Sequence, residues 1–131
     1  MTLDGSKKLC ILAIDDHFVV RMMIKHMLGD ERFVHLEASG GEQALTVLRE
    51  QGPIDLILSD YNMPGMDGLE FCQKKNAIPE LVAIPIIMIT SSRTAKEKKE
   101  AAAIGAAYWL DKPFSEKALL QIVMQVLGKK I

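Results

Sequence analysis

Two apolar runs in this sequence each stop at aspartate, and that restricts the possible folds more than any other feature of the chain. Leu9 to Ile14 leads into Asp15 and Asp16, and Ile54 to Ser59 leads into Asp60. A short apolar run bounded by polar residues reads as a strand buried on both faces, as in a parallel sheet covered by helices. Two further runs end in the same way. Pro85 to Ile89 meets Thr90 and Ser91, and Tyr108 to Leu110 passes through Asp111 to Lys112 and Pro113. Parallel strands deliver their final residues to one edge, and ligands of open α/β sheets bind outside that edge. The residues expected there are three acids, a hydroxyl and a lysine.

Between these runs the spacing is helical. The pattern gives a strand at about 9–14, a helix at about 18–28 stopped by Gly29, a weaker strand at about 33–38 and a helix at about 41–50. A strand at 54–59, a helix at about 67–75, a strand at 85–90, a helix at about 94–103, a strand at 107–110 and a helix at about 115–127 follow. Five βα units predict one doubly wound α/β domain with a five-stranded parallel sheet. The last helix is the most sharply marked: Leu119, Ile122, Val123, Val126 and Leu127 recur at helical spacing, with Ser115 and Gly128 at the capping positions. The fourth helix has a charged half and an alanine half, which predicts weak packing. Met22, Met23 and Met27 read as core residues of the first helix. Pro64 and Gly65 predict a turn after Asp60, and Gly68 lets the next helix begin close to it.

At 131 residues the chain is sized for one domain, residues 1–131 with a core over about 8–128. Its 16 basic and 17 acidic residues give a net charge of −1, without the clustered cationic excess that direct nucleic-acid binding requires. The Lys7-Lys8 and Lys129-Lys130 pairs read as solvated ends. No amino-terminal segment reads as a signal peptide, and the apolar stretch from Leu81 to Ile89 is interrupted by Pro85 and too short to span a bilayer. The expectation is a cytoplasmic protein without membrane insertion. Cys10 and Cys72 form neither a CxxC pair nor a disulfide framework and read as small core residues.

Three carboxylates within a few ångströms repel one another, and a divalent cation removes the conflict. Mg2+ suits an open site of carboxylates, waters and phosphate oxygens. Asp16 and Asp60 are the best direct ligands, the Asn62 backbone carbonyl is a third candidate, and Asp15 is placed to act through water. An aspartate can also be a nucleophile that forms an acyl phosphate. Lys112 would then supply fixed positive charge and the Thr90 hydroxyl a hydrogen bond to a phosphoryl oxygen, as phosphoryl transfer needs.

Taken together, LAIDDH, SDYNMPGMDG, IMITSS and DKPF resemble the receiver domain of two-component response regulators over nearly the whole chain, most closely the single-domain, chemotaxis-type members. Separations of 44, 30 and 22 residues between Asp16, Asp60, Thr90 and Lys112 fit that family. The resemblance implies a flavodoxin-like fold with strand order 2-1-3-4-5 and a phosphorylation-activated signalling switch rather than an enzyme. Asp60 would accept a phosphoryl group from the phosphohistidine of a histidine kinase or phosphotransfer protein, and Asp15, Asp16 and Asp60 would hold Mg2+. Thr90 and Lys112 would contact the phosphoryl group, and Asn62 and Ser92 would flank the hydrolytic water. A downstream protein would be met through the face made by the fourth helix, fifth strand and fifth helix.

One departure stands out: where the family usually has Tyr or Phe three residues before the site lysine, this chain has Trp109, with Tyr108 beside it. Thr90, Trp109 and Tyr108 are therefore the expected switch residues. A haloacid-dehalogenase-like hydrolase would carry a second Asp two residues after the nucleophile, where this chain has Asn62. His17 borders the acidic pair, whereas His26 and His35 show no ligand spacing. The sequence reads equally as a stand-alone regulator and as a piece of a larger one.

Overall fold

Alternating buried strands and amphipathic helices resolve into five βα units in the computed structural model, which describes residues 8–91, 94–103 and 108–128. The elements are β1 (Leu9–Ile14), α1 (Phe18–Met27), β2 (Phe33–Ala38), α2 (Gly41–Glu50), β3 (Leu56–Asp60), α3 (Gly68–Asn76), β4 (Ile86–Thr90), α4 (Ala95–Ala103), β5 (Tyr108–Asp111) and α5 (Glu116–Leu127). The strands form one sheet in the order β2-β1-β3-β4-β5, every neighbouring pair parallel. The chain winds outward from β1 in both directions, so β1 and β3 flank the point where the winding reverses.

The apolar runs are continuous because each central strand is buried on both faces. Ile11, Ala13, Leu56, Leu58, Ile87 and Ile89 face Ile24 and Leu28 of the α1 region and Leu119, Val123 and Leu127 of α5. The alternate residues Leu12, Ile14, Ile57 and Met88 face Ala44, Leu45 and Leu48 of α2 and Phe71 and Cys72 of α3. Burial of such a side chain contributes about 1.5–3 kcal/mol, so both layers hold the strand ends in fixed register.

Several element ends follow from local chemistry. The third strand begins at Leu56, later than the apolar run, because Asp55 is fastened sideways: its amide donates to the Cys10 carbonyl at 2.8 Å, and its Oδ2 accepts from the Cys10 amide at 2.8 Å. It also extends one residue further and includes Asp60. Likewise β5 includes Asp111, while residue 107, the expected start of that strand, lies outside the described residues. Ser115 caps α5 by accepting from the Ala118 amide at 3.0 Å. Gly128 occupies the C-cap but keeps right-handed backbone, so the position does not use glycine's special freedom. Thr94 and Glu97 cap α4 reciprocally, at 3.1 and 3.2 Å. Gly65 has φ +75°, which supplies the expected turn after Asp60.

Two methionines depart from the sequence expectation, and one lysine that carried none is buried. Met22 and Met23 are 51% and 41% exposed, and of the three methionines read as core only Met27 packs against it. Lys75 is buried; its Nζ donates to Asn76 Oδ1 at 2.9 Å and to the Val82 carbonyl at 3.1 Å, tying α3 to the segment before β4. Burial lowers its pKa. No described helix is long and apolar enough to cross a membrane.

Candidate functional site

Asp15 follows directly from β1 and Asp60 ends β3, so the reversal of winding sets these two carboxylates side by side at the carboxyl edge. Both are buried, as is Thr90 at the end of β4. Lys112 enters from beyond β5, its backbone fixed by donation from its amide to the Thr90 carbonyl at 2.8 Å. Its Nζ stands 3.2 Å from Asp15 Oδ2 and 3.3 Å from Asp60 Oδ1. The Asn62 amide also points at Asp60 Oδ1, at 3.3 Å, and its side-chain Nδ2 reaches Thr90 Oγ1 at 3.4 Å. Asp60, Thr90, Lys112, Asp15 and Asn62, expected together from sequence, are therefore brought together.

The electrostatics are those of a buried acid with too little positive charge around it. Burial, and then the Asp15 charge, push the Asp60 carboxyl above its usual range, while Lys112 and the Asn62 amide oppose the shift. Burial alone would lower Lys112, but the Asp60 and Asp15 carboxylates outweigh it and hold the ammonium above its usual range. One lysine does not balance three carboxylates.

Asp16 is the least satisfied of the three. Its Oδ1 is buried without a hydrogen-bond partner; His17 Nδ1, at 3.4 Å, is at an ion-pair separation but lacks hydrogen-bond geometry. One ligand-type atom from each of Asp15, Asp16, His17 and Asp60 lies within 4.8 Å of the others. An orphaned carboxylate oxygen inside such a cluster fits a divalent cation, because a buried anionic oxygen without a partner is costly.

Arg21 belongs to this edge and was not expected from sequence. Its Nη1 donates to the Asp15 carbonyl at 2.6 Å and its Nε to Glu37 Oε1 at 3.0 Å, so it braces the β1 end against β2. The available signal was a cation at the fourth residue of α1, where the positive end of the helix dipole disfavours it. Ser92 lies outside the described residues.

Strand alternation separates the two aromatic candidates on β5. Trp109 packs on the α2/α3 side of the sheet, its ring centroid 5.8 Å from that of Tyr61, whereas Tyr108 packs on the α1/α5 side. Burial and then the carboxylates of Glu97, Asp67 and Glu100 push the Tyr61 hydroxyl upward, which places this ring pair within the electrostatic reach of α4. Exposed apolar residues gather instead on α1, where Phe18 and Val19 join Met22 and Met23 beside the acidic edge.

Known proteins resemble this chain in sequence and fold. Residues 11–124 match the family model for the response regulator receiver domain. The chain is 35% identical to chemotaxis protein CheY-3 of Vibrio cholerae over 87% of its own length and 88% of that protein's, and 32% identical to chemotaxis protein CheY of Pseudomonas aeruginosa over 91% and 96%. A solved structure of Vibrio cholerae chemotaxis protein CheY4 superposes with a TM-score of 0.87 at 35% identity, covering 92% of this chain and all of that one. The chain also matches 12% of the length of sensor histidine kinase RcsC of Salmonella typhi, at 33% identity over 92% of its own. The family model spans most of the chain, and relatives at 32–35% identity are matched over most of their own length: this chain belongs to the response regulator receiver domain family, of the CheY type.

Proposed function

We propose that Asp60 is the phosphoacceptor of a two-component switch, charged from the phosphohistidine of a histidine kinase or phosphotransfer protein with Mg2+ bound among Asp15, Asp16, Asp60 and the Asn62 carbonyl. The observation that carries this reading is the contact of buried Asp60 with Lys112, beside Asp15 and two residues before Asn62. With Oδ1 engaged by Lys112 and the Asn62 amide, Oδ2 is assigned the attack: a new O–P bond forms as the donor's N–P bond breaks, and the imidazole leaves with the electron pair. Lys112 holds a positive charge next to the transferred group, and the Thr90 hydroxyl, which accepts from Asn62 Nδ2, donates its own hydrogen to one of that group's oxygens. Mg2+ supplies charge neutralisation for the carboxylates and the phosphoryl oxygens. Asn62 offers an amide where a hydrolase would need an acid, so the domain performs no chemistry beyond its own phosphorylation and dephosphorylation, whose lifetime Asn62 and Ser92 set. The donor approaches over the apolar start of α1, and the downstream protein meets the α4-β5-α5 face. Incubation with acetyl phosphate and Mg2+ tests this: intact mass should rise by one phosphoryl group, and no gain from acetyl phosphate or from any histidine kinase would overturn the reading.

The ranking of the metal ligands has its own test. Asp15 is already held by Lys112 and by the His17 amide, at 3.2 and 2.8 Å, whereas Asp16 Oδ1 has no hydrogen-bond partner. Asp16→Ala is therefore expected to weaken Mg2+ binding by about tenfold or more, with a smaller loss in Asp15→Ala. Calorimetric titration of both variants decides; equal losses would defeat the ranking.

The chain's single tryptophan reports the switch. Phosphorylation shifts a two-state equilibrium only through contacts that differ between the states, and Trp109 stacks near Tyr61, whose hydroxyl is influenced by Glu97 and Glu100 of α4. Beryllium fluoride with Mg2+, a mimic of the aspartyl phosphate, should change Trp109 emission or quenching in the wild type and not in Asp60→Asn. Identical signals in both states would assign the movement to other residues.

A further inference from the structure

His17 is a side chain that an all-oxygen Mg2+ site does not require. It holds the N-cap position of α1, yet its side chain makes no capping hydrogen bond. Packing does not explain it either, since the side chain is 65% exposed. What the ring does meet is the cation edge: Nδ1 lies 3.1 Å from Asp15 Oδ1, a hydrogen bond when that nitrogen carries the proton, and 3.4 Å from Asp16 Oδ1; with the proton on Nε2 instead, Nδ1 offers its lone pair to the same edge. Around a six-coordinate ion with bonds of about 2.1 Å, adjacent donor atoms lie about 3 Å apart and opposite ones about 4.2 Å. The nitrogen thus stands at the spacing of a neighbouring ligand, and one ligand-type atom from each of the four residues lies within 4.8 Å of the others, so the cluster needs only a small inward adjustment to close on an ion.

We propose that His17 Nδ1 is a ligand of this cation site, and that the site in consequence takes late first-row divalent ions such as Ni2+ or Zn2+ as well as Mg2+. The inference rests on the reading that the carboxylate cluster holds a divalent cation, and it adds which ions. Imidazole nitrogen is a softer donor than carboxylate oxygen and favours nickel, copper and zinc, whereas Mg2+ gains little from it. A late ion bound through His17 competes with Mg2+ for the same carboxylates, so the domain's readiness for phosphorylation becomes sensitive to such metals.

Calorimetric titration of Ni2+ and of Mg2+ into metal-free wild type and His17→Ala tests this, with pulsed EPR of the Mn2+-loaded proteins for nitrogen coupling. The alanine keeps the backbone amide that donates to Asp15 Oδ1 at 2.8 Å and removes an exposed ring, so the fold is retained. The expected result is a loss of about tenfold or more in Ni2+ affinity with Mg2+ affinity within about twofold, Mg2+ displacing Ni2+ in the wild type, and a nitrogen coupling that disappears in the variant. Unchanged Ni2+ affinity, equal losses for both ions, or no nitrogen coupling in the wild type would overturn the proposal. Wild type that binds Ni2+ through His17 but no Mg2+ would uphold the ligand and sink the magnesium reading instead.

Discussion

Asp60→Asn is expected to take up no phosphoryl group under conditions that phosphorylate the wild type, and to melt at a higher temperature than the wild type in metal-free neutral buffer. The first outcome follows from loss of the nucleophile, since an amide oxygen forms no acyl phosphate and the neighbouring carboxylates keep their own contacts. The second follows from the raised pKa of Asp60, caused by burial and by Asp15. A carboxyl that titrates higher in the fold than in the open chain is less stable ionised inside the protein than outside it. Below the unfolded value of 3.8 both states are protonated and nothing is lost. As pH rises from there through the folded value, the open chain releases its proton first and the fold loses stability. Asparagine removes that loss while keeping the volume and an acceptor for Lys112. Melting curves at pH 3 and pH 7 without divalent ions provide the check: the variant should gain on the wild type at the higher pH, and added Mg2+ should narrow the gap. A variant that melts lower than the wild type at pH 7 would mean that the Lys112 pairing outweighs the burial cost.

Gly68→Ala is expected to destabilise the domain by about 1–3 kcal/mol and to slow phosphorylation as well. A Cβ at Gly68 would lie 2.6 Å from the Asp60 carbonyl oxygen and 2.9 Å from the Tyr61 Cα, both backbone atoms that cannot rotate away. Either α3 withdraws or the end of β3 shifts. Withdrawal strains the bond from the Gly68 amide to the Tyr61 carbonyl, 2.8 Å long, and lifts buried Phe71 from the sheet. A shift of β3 moves Asp60 and the Asn62 amide relative to Lys112. Gly40→Ala is the control, because a Cβ there meets nothing within 4 Å. Thermal melts and phosphorylation rates of the two variants should separate cleanly, and a Gly68→Ala protein that matches Gly40→Ala in both would show that the approach of α3 to β3 is looser than the geometry implies.

Much of this edge was legible in the sequence, because a strand buried on both faces cannot carry an acid until it leaves the core. Asp15, Asp16, Asp60, Thr90 and Lys112 all mark such exits, and the apolar runs before them needed no partner to be recognised. Asp55 shows where that reasoning fails. It looked like part of a run, yet its carboxylate and amide join β1 sideways, a contact between residues 45 apart that no local pattern encodes. The first helix was misread for a different reason: Val19, Val20, Met22, Met23, Ile24 and Met27 put apolar groups on every side, so periodicity could not select the buried face. Only Ile24 of that helix is fully covered. Arg21 and Lys75 escaped notice because their partners are backbone carbonyls and polar side chains rather than a complementary motif.

The path of Lys112 has a consequence for when in its life the protein can respond. β5 is the outermost strand on its side, and the lysine that follows it reaches back across β4 and β3 to Asp15, 97 residues earlier in the chain. Contacts of such sequence separation form late, after the loops they close have been ordered. A chain emerging from the ribosome thus carries all three acids before the lysine that pairs with two of them. Under the proposed role of Lys112, half-made copies lack the cation that meets the phosphoryl group, and competence to receive a signal arrives together with completion of the sheet.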